Sequence, residues 1–104
     1  MALEITDSNI TETLTNNKIT IIDFWAPWCG PCKMLGPIID ELSAENTDIA
    51  IGKMNVDENS VTPSTSGIRG IPTIIFYKDG VAVDKIVGVK SKIELQTKIN
   101  NLKA

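Results

Sequence analysis

The sequence predicts a three-layer α/β domain, a mixed five-stranded sheet flanked by about four helices, and three features predict it. Two apolar, β-rich runs flank a helix-periodic stretch, the pattern of a parallel crossover. Two further β-rich runs are separated by Lys78-Asp79-Gly80, the pattern of an antiparallel hairpin. A capped, helix-periodic segment closes the chain. With 104 residues, 42% of them hydrophobic, and no repeat or linker-like stretch, residues 1–104 are expected to form a single domain.

In order, Leu3 to Ile5 is expected to form a short edge strand. Asp7 or Ser8 is placed to cap a helix in which Ile10 and Leu14 share a face. Ile19 to Trp25 is apolar apart from Thr20 and Asp23, as in a strand covered on both faces. Leu35, Ile38, Ile39 and Leu42 recur at i, i+3, i+4 and i+7, an apolar helical stripe running toward Asn46 that Pro37 should kink. Ile49 to Val56 is the second central strand, parallel to the first through a right-handed crossover. A short helical turn is expected around Glu58 to Ser66. Thr73 to Tyr77 and Val81 to Val87 form the hairpin. Ser91 and Glu94 make a capping box for a last helix whose inner face is Leu95, Ile99 and Leu102.

The composition removes several function classes. Ten Lys and Arg against 13 Asp and Glu give a net charge of -3, so no cationic field is available for nucleic acid. The start, Met1-Ala2-Leu3-Glu4-Ile5-Thr6-Asp7, has neither a basic region nor a long apolar one, and no stretch approaches a membrane span. A cytoplasmic monomer is expected. The absence of histidine removes Cys-His and Ser-His-Asp nucleophiles and imidazole metal sites together.

Chemistry concentrates at Trp28-Cys29-Gly30-Pro31-Cys32. The cysteines follow a strand and open a helix, and their i, i+3 spacing puts both sulfurs on one side of the first turn, close enough to bridge. Unpaired N–H groups and the positive helix end favour a thiolate there; about 0.3–2 kcal/mol corresponds to roughly 0.2–1.5 pKa units. Pro31 in the first turn gives up only an N–H with no intrahelical partner, and Gly30 removes bulk beside the sulfur. Cys29, at the exposed helix tip, is assigned as the attacking thiol, and Cys32, a turn deeper, as the resolving one. A zinc or iron–sulfur reading wants four ligands where the chain has two cysteines and no histidine. A purely structural disulfide closing so short a loop would constrain little chain entropy.

Asp23 sits within the apolar strand, where a carboxylate is costly unless partnered or protonated, so its pKa is expected to be raised. Two readings stay open on pattern alone: an acceptor for the Cys32 proton, or a satisfied structural carboxylate. Lys53 could tune Asp23, although its pattern fits a solvated surface lysine. The default for Ile71-Pro72 is a trans bond. Trp28 offers an apolar landing surface for a substrate chain and Trp25 is expected to pack. Gly67, Gly70 and Gly88 read as turn glycines with positive φ.

Taken together, Asp23-Phe24-Trp25-Ala26-Pro27-Trp28-Cys29-Gly30-Pro31-Cys32-Lys33 and Gly70-Ile71-Pro72-Thr73 resemble the thioredoxin family. Pro37, Lys53 before Asn55 and Asp57, and Gly88 support the likeness, which spans nearly the whole chain. The resemblance implies the thioredoxin fold with strand order 1-3-2-4-5, a cis Pro72 beside the cysteines, and an Asp23 that assists the deeper cysteine with Lys53 nearby. It implies a substrate chain pairing with the backbone before Pro72, near Trp28, Ile71 and Gly88. It further implies disulfide-containing protein substrates and a separate thioredoxin reductase that draws on NADPH, with no cofactor bound to this chain. Pro27 and Ser66 depart from the family pattern without touching the redox pair.

The rival readings are an oxidase or isomerase of the same fold, since residues between the cysteines tune the potential, and a redox-independent binding module or subunit. A glutaredoxin fits less well, because Trp28 and Gly30-Pro31 follow the thioredoxin pattern.

Overall fold

The computed structural model describes residues 1–104. Nine elements follow in the order β1 (Leu3–Glu4), α1 (Ile10–Asn16), β2 (Ile19–Trp25), α2 (Gly30–Glu45), β3 (Ala50–Asn55), α3 (Val61–Thr65), β4 (Thr73–Lys78), β5 (Val81–Val87) and α4 (Lys92–Lys103). The five strands form one sheet in the order β1-β3-β2-β4-β5. β3 is parallel to both β1 and β2, while β4 is antiparallel to β2 and to β5. The order and the mixed sense are those the resemblance implies.

Alternation along β2 sorts the core into two halves. Ile21 points to the face covered by α2 and α4, where it packs with Leu35, Ile39, Leu42, Ile51, Ile74, Phe76, Leu95 and Ile99. Ile22 and Phe24 point the other way, into a cluster with Ile5, Met54, Ile75 and Tyr77 that Ile10, Leu14, Val56 and Ile68 close. A strand loaded on both faces has few polar positions to spare, and Asp23 falls on the α2 side.

The hairpin turn places Asp79 at φ 54° and Gly80 at φ 80°, the pair of left-handed residues a tight two-residue turn requires. α2 runs through Pro37 to Glu45. Ser91 caps α4 by accepting the Glu94 N–H at 3.2 Å, while the Glu94 carboxylate returns to the Ser91 hydroxyl at 3.3 Å.

Two expectations change. Neither Asp7 nor Ser8 caps α1; Asn9 precedes it, with its side chain accepting the Thr6 N–H at 2.8 Å. The Asp7 carboxylate instead accepts from the Val61 and Thr62 N–H groups at 3.0 and 2.8 Å, so it caps α3 from across the sequence. Hydrogen bonding from Thr62, its side chain first and its backbone next, holds the Asp7 carboxyl below the usual carboxylate range against partial desolvation. Gly67 and Gly88 have positive φ, but Gly70 does not. No helix is long and apolar enough to cross a membrane.

Candidate active site

The site lies at the carboxyl ends of the parallel strands β2 and β3, where the chain leaves Trp25 and turns into α2. Cys29 is the residue immediately before α2, in extended conformation, and Pro31 occupies the first turn. Cys29 and Cys32 are joined in a disulfide with their Cα atoms 5.3 Å apart. The Cys32 N–H points at Cys29 Sγ from 3.3 Å, so the helix end directs a backbone donor at the sulfur assigned as attacking.

Exposure does not distinguish the two sulfurs. Cys29 is 5% and Cys32 4% exposed, so the expectation of an exposed first cysteine fails for the oxidised pair. They differ in what they face. Cys29 Sγ lies 3.8 Å from the Ile71 carbonyl oxygen, on the side of the β4 entry loop. Cys32 lines a cavity of about 350 Å³ with Asp23, Trp25, Pro27, Lys33, Gly36 and Lys53. Trp25 is half-buried and packs against the cluster of Ala26, Cys29 and Cys32.

Asp23 is 1% exposed, and neither carboxylate oxygen has a hydrogen-bond partner. Burial pushes its pKa up, Lys53 pulls it down and Asp40 pushes it up again, leaving it at about 7. The sheet register sets Lys53 directly across from Asp23, yet the Lys53 Nζ donates to Asp40 Oδ2 at 3.1 Å. Lys53 is therefore a partly buried, paired lysine, not the solvated one its pattern suggested.

On the other side of the disulfide, the Ile71–Pro72 bond is cis, as the resemblance implies and against the default for an X-Pro pair. Gly88, at φ 96°, donates its N–H to the Pro72 carbonyl at 2.9 Å, tying the end of β5 to this loop. Trp28 is 69% exposed and its indole N–H reaches both Asp57 oxygens at 3.2 and 3.1 Å. Gly30 has open space where a side chain would project.

The structure thus gathers Asp23, Lys53 and Cys32 around one cavity and sets Cys29 Sγ beside Ile71, next to the cis Pro72 that Gly88 ties down, with Trp28 immediately before Cys29 in the chain. Asp40 and Asp57 were not singled out as site residues from sequence. The signal for Asp57 is the parallel register, which pairs Trp25 with Asn55 and so brings the residues after each strand side by side. Asp40 carries no local signal, since it sits on an amphipathic helix among other acids.

The comparisons agree on one family. The family model described as Thioredoxin matches residues 1–101. A thioredoxin of Rickettsia prowazekii is 49% identical over 102 residues, covering 96% of this chain and 97% of the relative. One from Haemophilus influenzae is 46% identical over 94% of each chain. Among solved structures, a single-site mutant of a thioredoxin from Halobacterium salinarum superposes with a TM-score of 0.92 at 36% identity, covering 99% of this chain and 91% of that one. Sequence, strand order and a bridged cysteine pair at the mouth of α2 converge, and the chain belongs to the thioredoxin family of thiol–disulfide oxidoreductases, with Cys29 and Cys32 as its redox-active dithiol.

Proposed function

We propose that the chain works as a single-domain, monomeric protein-disulfide reductase of the cytoplasm, with Cys29 as attacking thiolate and Cys32 as resolving thiol. In the reduced protein, Cys29 Sγ attacks one sulfur of a substrate disulfide, that S–S bond breaks, and the departing sulfur takes up a proton. Cys32 then passes its proton to Asp23 and attacks Cys29 Sγ, so the mixed disulfide breaks, the second substrate sulfur leaves and takes up a proton, and the Cys29–Cys32 bond forms. Two electrons have moved from the dithiol to the substrate. The observation carrying this reading is the cavity in which Cys32 and the unpartnered Asp23 carboxyl stand together.

Cys29 Sγ lies beside the Ile71 carbonyl, on a surface suited to an extended chain. The Ile71 backbone, held by the turn at Pro72 and by the Gly88 tie, would pair with the substrate as an added strand, and the Trp28 ring would cover its side chains. Main-chain pairing favours broad substrate range. Re-reduction requires a dithiol donor; the family relationship points to a separate thioredoxin reductase using NADPH, with no cofactor held by this chain.

Two measurements test the proposal. With a disulfide-bonded protein substrate, Cys32→Ser should accumulate a stable mixed disulfide through Cys29, while Cys29→Ser should form none; trapping by the second variant instead would reverse the roles. Titration of the pair in thiol–disulfide buffers, followed by tryptophan fluorescence, should give a potential more reducing than the cytosolic glutathione couple. A value near the oxidising end would make the chain an oxidase, and no transition would leave the binding-module reading.

A further inference from the structure

We propose that Asp40 is a positioning residue for the redox site: by holding the Lys53 ammonium it keeps that cation from pairing with Asp23, and so leaves Asp23 free to take up a proton. The inference rests on the role proposed above for Asp23.

Adjacent parallel strands place Asp23 and Lys53 directly across from each other, and both line the cavity that Cys32 faces. An unpaired buried carboxylate beside a lysine would ordinarily capture it. Here the ammonium turns to Asp40 on α2, at 3.1 Å, and Asp23 keeps no hydrogen-bond partner. Asp40 is itself fixed, because its other oxygen accepts the Ala2 N–H at 3.1 Å. Gly36, one turn earlier on α2, borders the ammonium: a Cβ there would meet Nζ at 3.5 Å, ordinary contact. Partial burial pushes the Asp40 carboxyl up, but the Ala2 and Lys53 bonds outweigh it and keep the group below its ordinary value, hence anionic at neutral pH.

Charged and titratable groups face Asp23 and the Asp40–Lys53 pair from several elements: β1 sets Glu4 across from Lys53, and Glu4 and Glu58 line a second cavity with Lys53 and Asp40. β3 supplies Lys53, and α2 supplies Asp40, Lys33 and Cys32, with Cys29 just ahead of it and the chain's amino terminus beside Asp40. β4 presents Ile74, and α4 contributes Leu95 and Ile99 to this face, all apolar. Loss of the Asp40 charge and release of Lys53 act in the same direction, both favouring the ionised Asp23.

The test is the Asp23 carboxyl titration in the oxidised protein, read by carbon NMR of labelled aspartate. Asp40→Asn should lower the midpoint by about one pH unit, and Asp40→Glu should restore it. In a Lys53→Met background, Asp40→Asn should move the midpoint much less. An unmoved midpoint in Asp40→Asn, or an equal shift with and without Lys53, would overturn the proposal, the latter by showing that Asp40 acts through its own charge. If the midpoint shifts as expected but the pH profile of mixed-disulfide release does not follow, the positioning role stands and the proton-acceptor role of Asp23 falls.

Discussion

Asp23 loses its water to the sheet and gains nothing in exchange, and its high proton affinity follows from that loss more than from any neighbour. A group with a pKa of about 7 is a competent base for a thiol at neutral pH, in a chain that has no histidine to serve. Asp23→Asn should therefore slow mixed-disulfide release by about 100-fold above pH 7, the lower end of general-base effects. Stopped-flow decay of the intermediate checks this, and an unchanged rate from acid to alkaline pH would remove Asp23 from the mechanism. Trp28 makes a second residue-scale case. Its indole is exposed but tethered by Asp57, so Asp57→Ala should raise KM for a protein substrate about fivefold, the worth of one hydrogen bond, with kcat nearly unchanged.

Among the elements, β1 is the shortest, and its junction with β3 leaves no room for a side chain at Gly52. Gly52 pairs with Leu3, and a Cβ there would lie 2.9 Å from the Leu3 carbonyl oxygen and closer still to the Ile5 side chain. Gly52→Ala should cost about 1–3 kcal/mol by overpacking; denaturant unfolding measures it, and hydrogen exchange at the β1–β3 pairing should show the loss first. α3, only five residues long, depends on the Asp7 carboxylate for its first turn, so Asp7→Ala should lower Tm and raise exchange at Val61 and Thr62. The long elements were legible because periodicity reports local burial: β2, α2 and the hairpin start or stop within a residue or two of where the pattern put them. Asp7 misled because a carboxylate there has two helix starts within reach and the distant one won. Gly52, the Asp40–Lys53 pair and the cis Pro72 depend on partners far along the chain, and no local spacing encodes them. The cysteine motif was legible at once, since two thiols at i, i+3 with no histidine and no further cysteine leave little else to do.

For the whole molecule, the buried carboxyl couples stability to pH. Unfolded, Asp23 ionises near its ordinary 3.8; folded, near 7, so between those values the folded state holds the extra proton. Its contribution to stability is full below pH 4, is lost as pH rises toward 7, and is gone above it. The difference in unfolding free energy between Asp23→Asn and the parent should thus grow in the variant's favour by on the order of 2–4 kcal/mol from pH 4 to pH 8. Urea titrations of the oxidised proteins at both pH values check the sign, and a pH-independent difference would mean that the carboxyl stays ionised throughout. The sheet order has a further consequence, for synthesis. β2 forms the centre of the sheet, yet its neighbours β3 and β4 both follow it in the chain. At about 5–20 residues per second, the stretch from Trp25 to Asn55 that brings in β3 takes roughly 1.5–6 seconds to emerge, and β4 comes later still. For that interval a strand apolar on both faces leaves the ribosome with no edge to join, which makes Ile19–Trp25 the segment a nascent-chain chaperone would meet first.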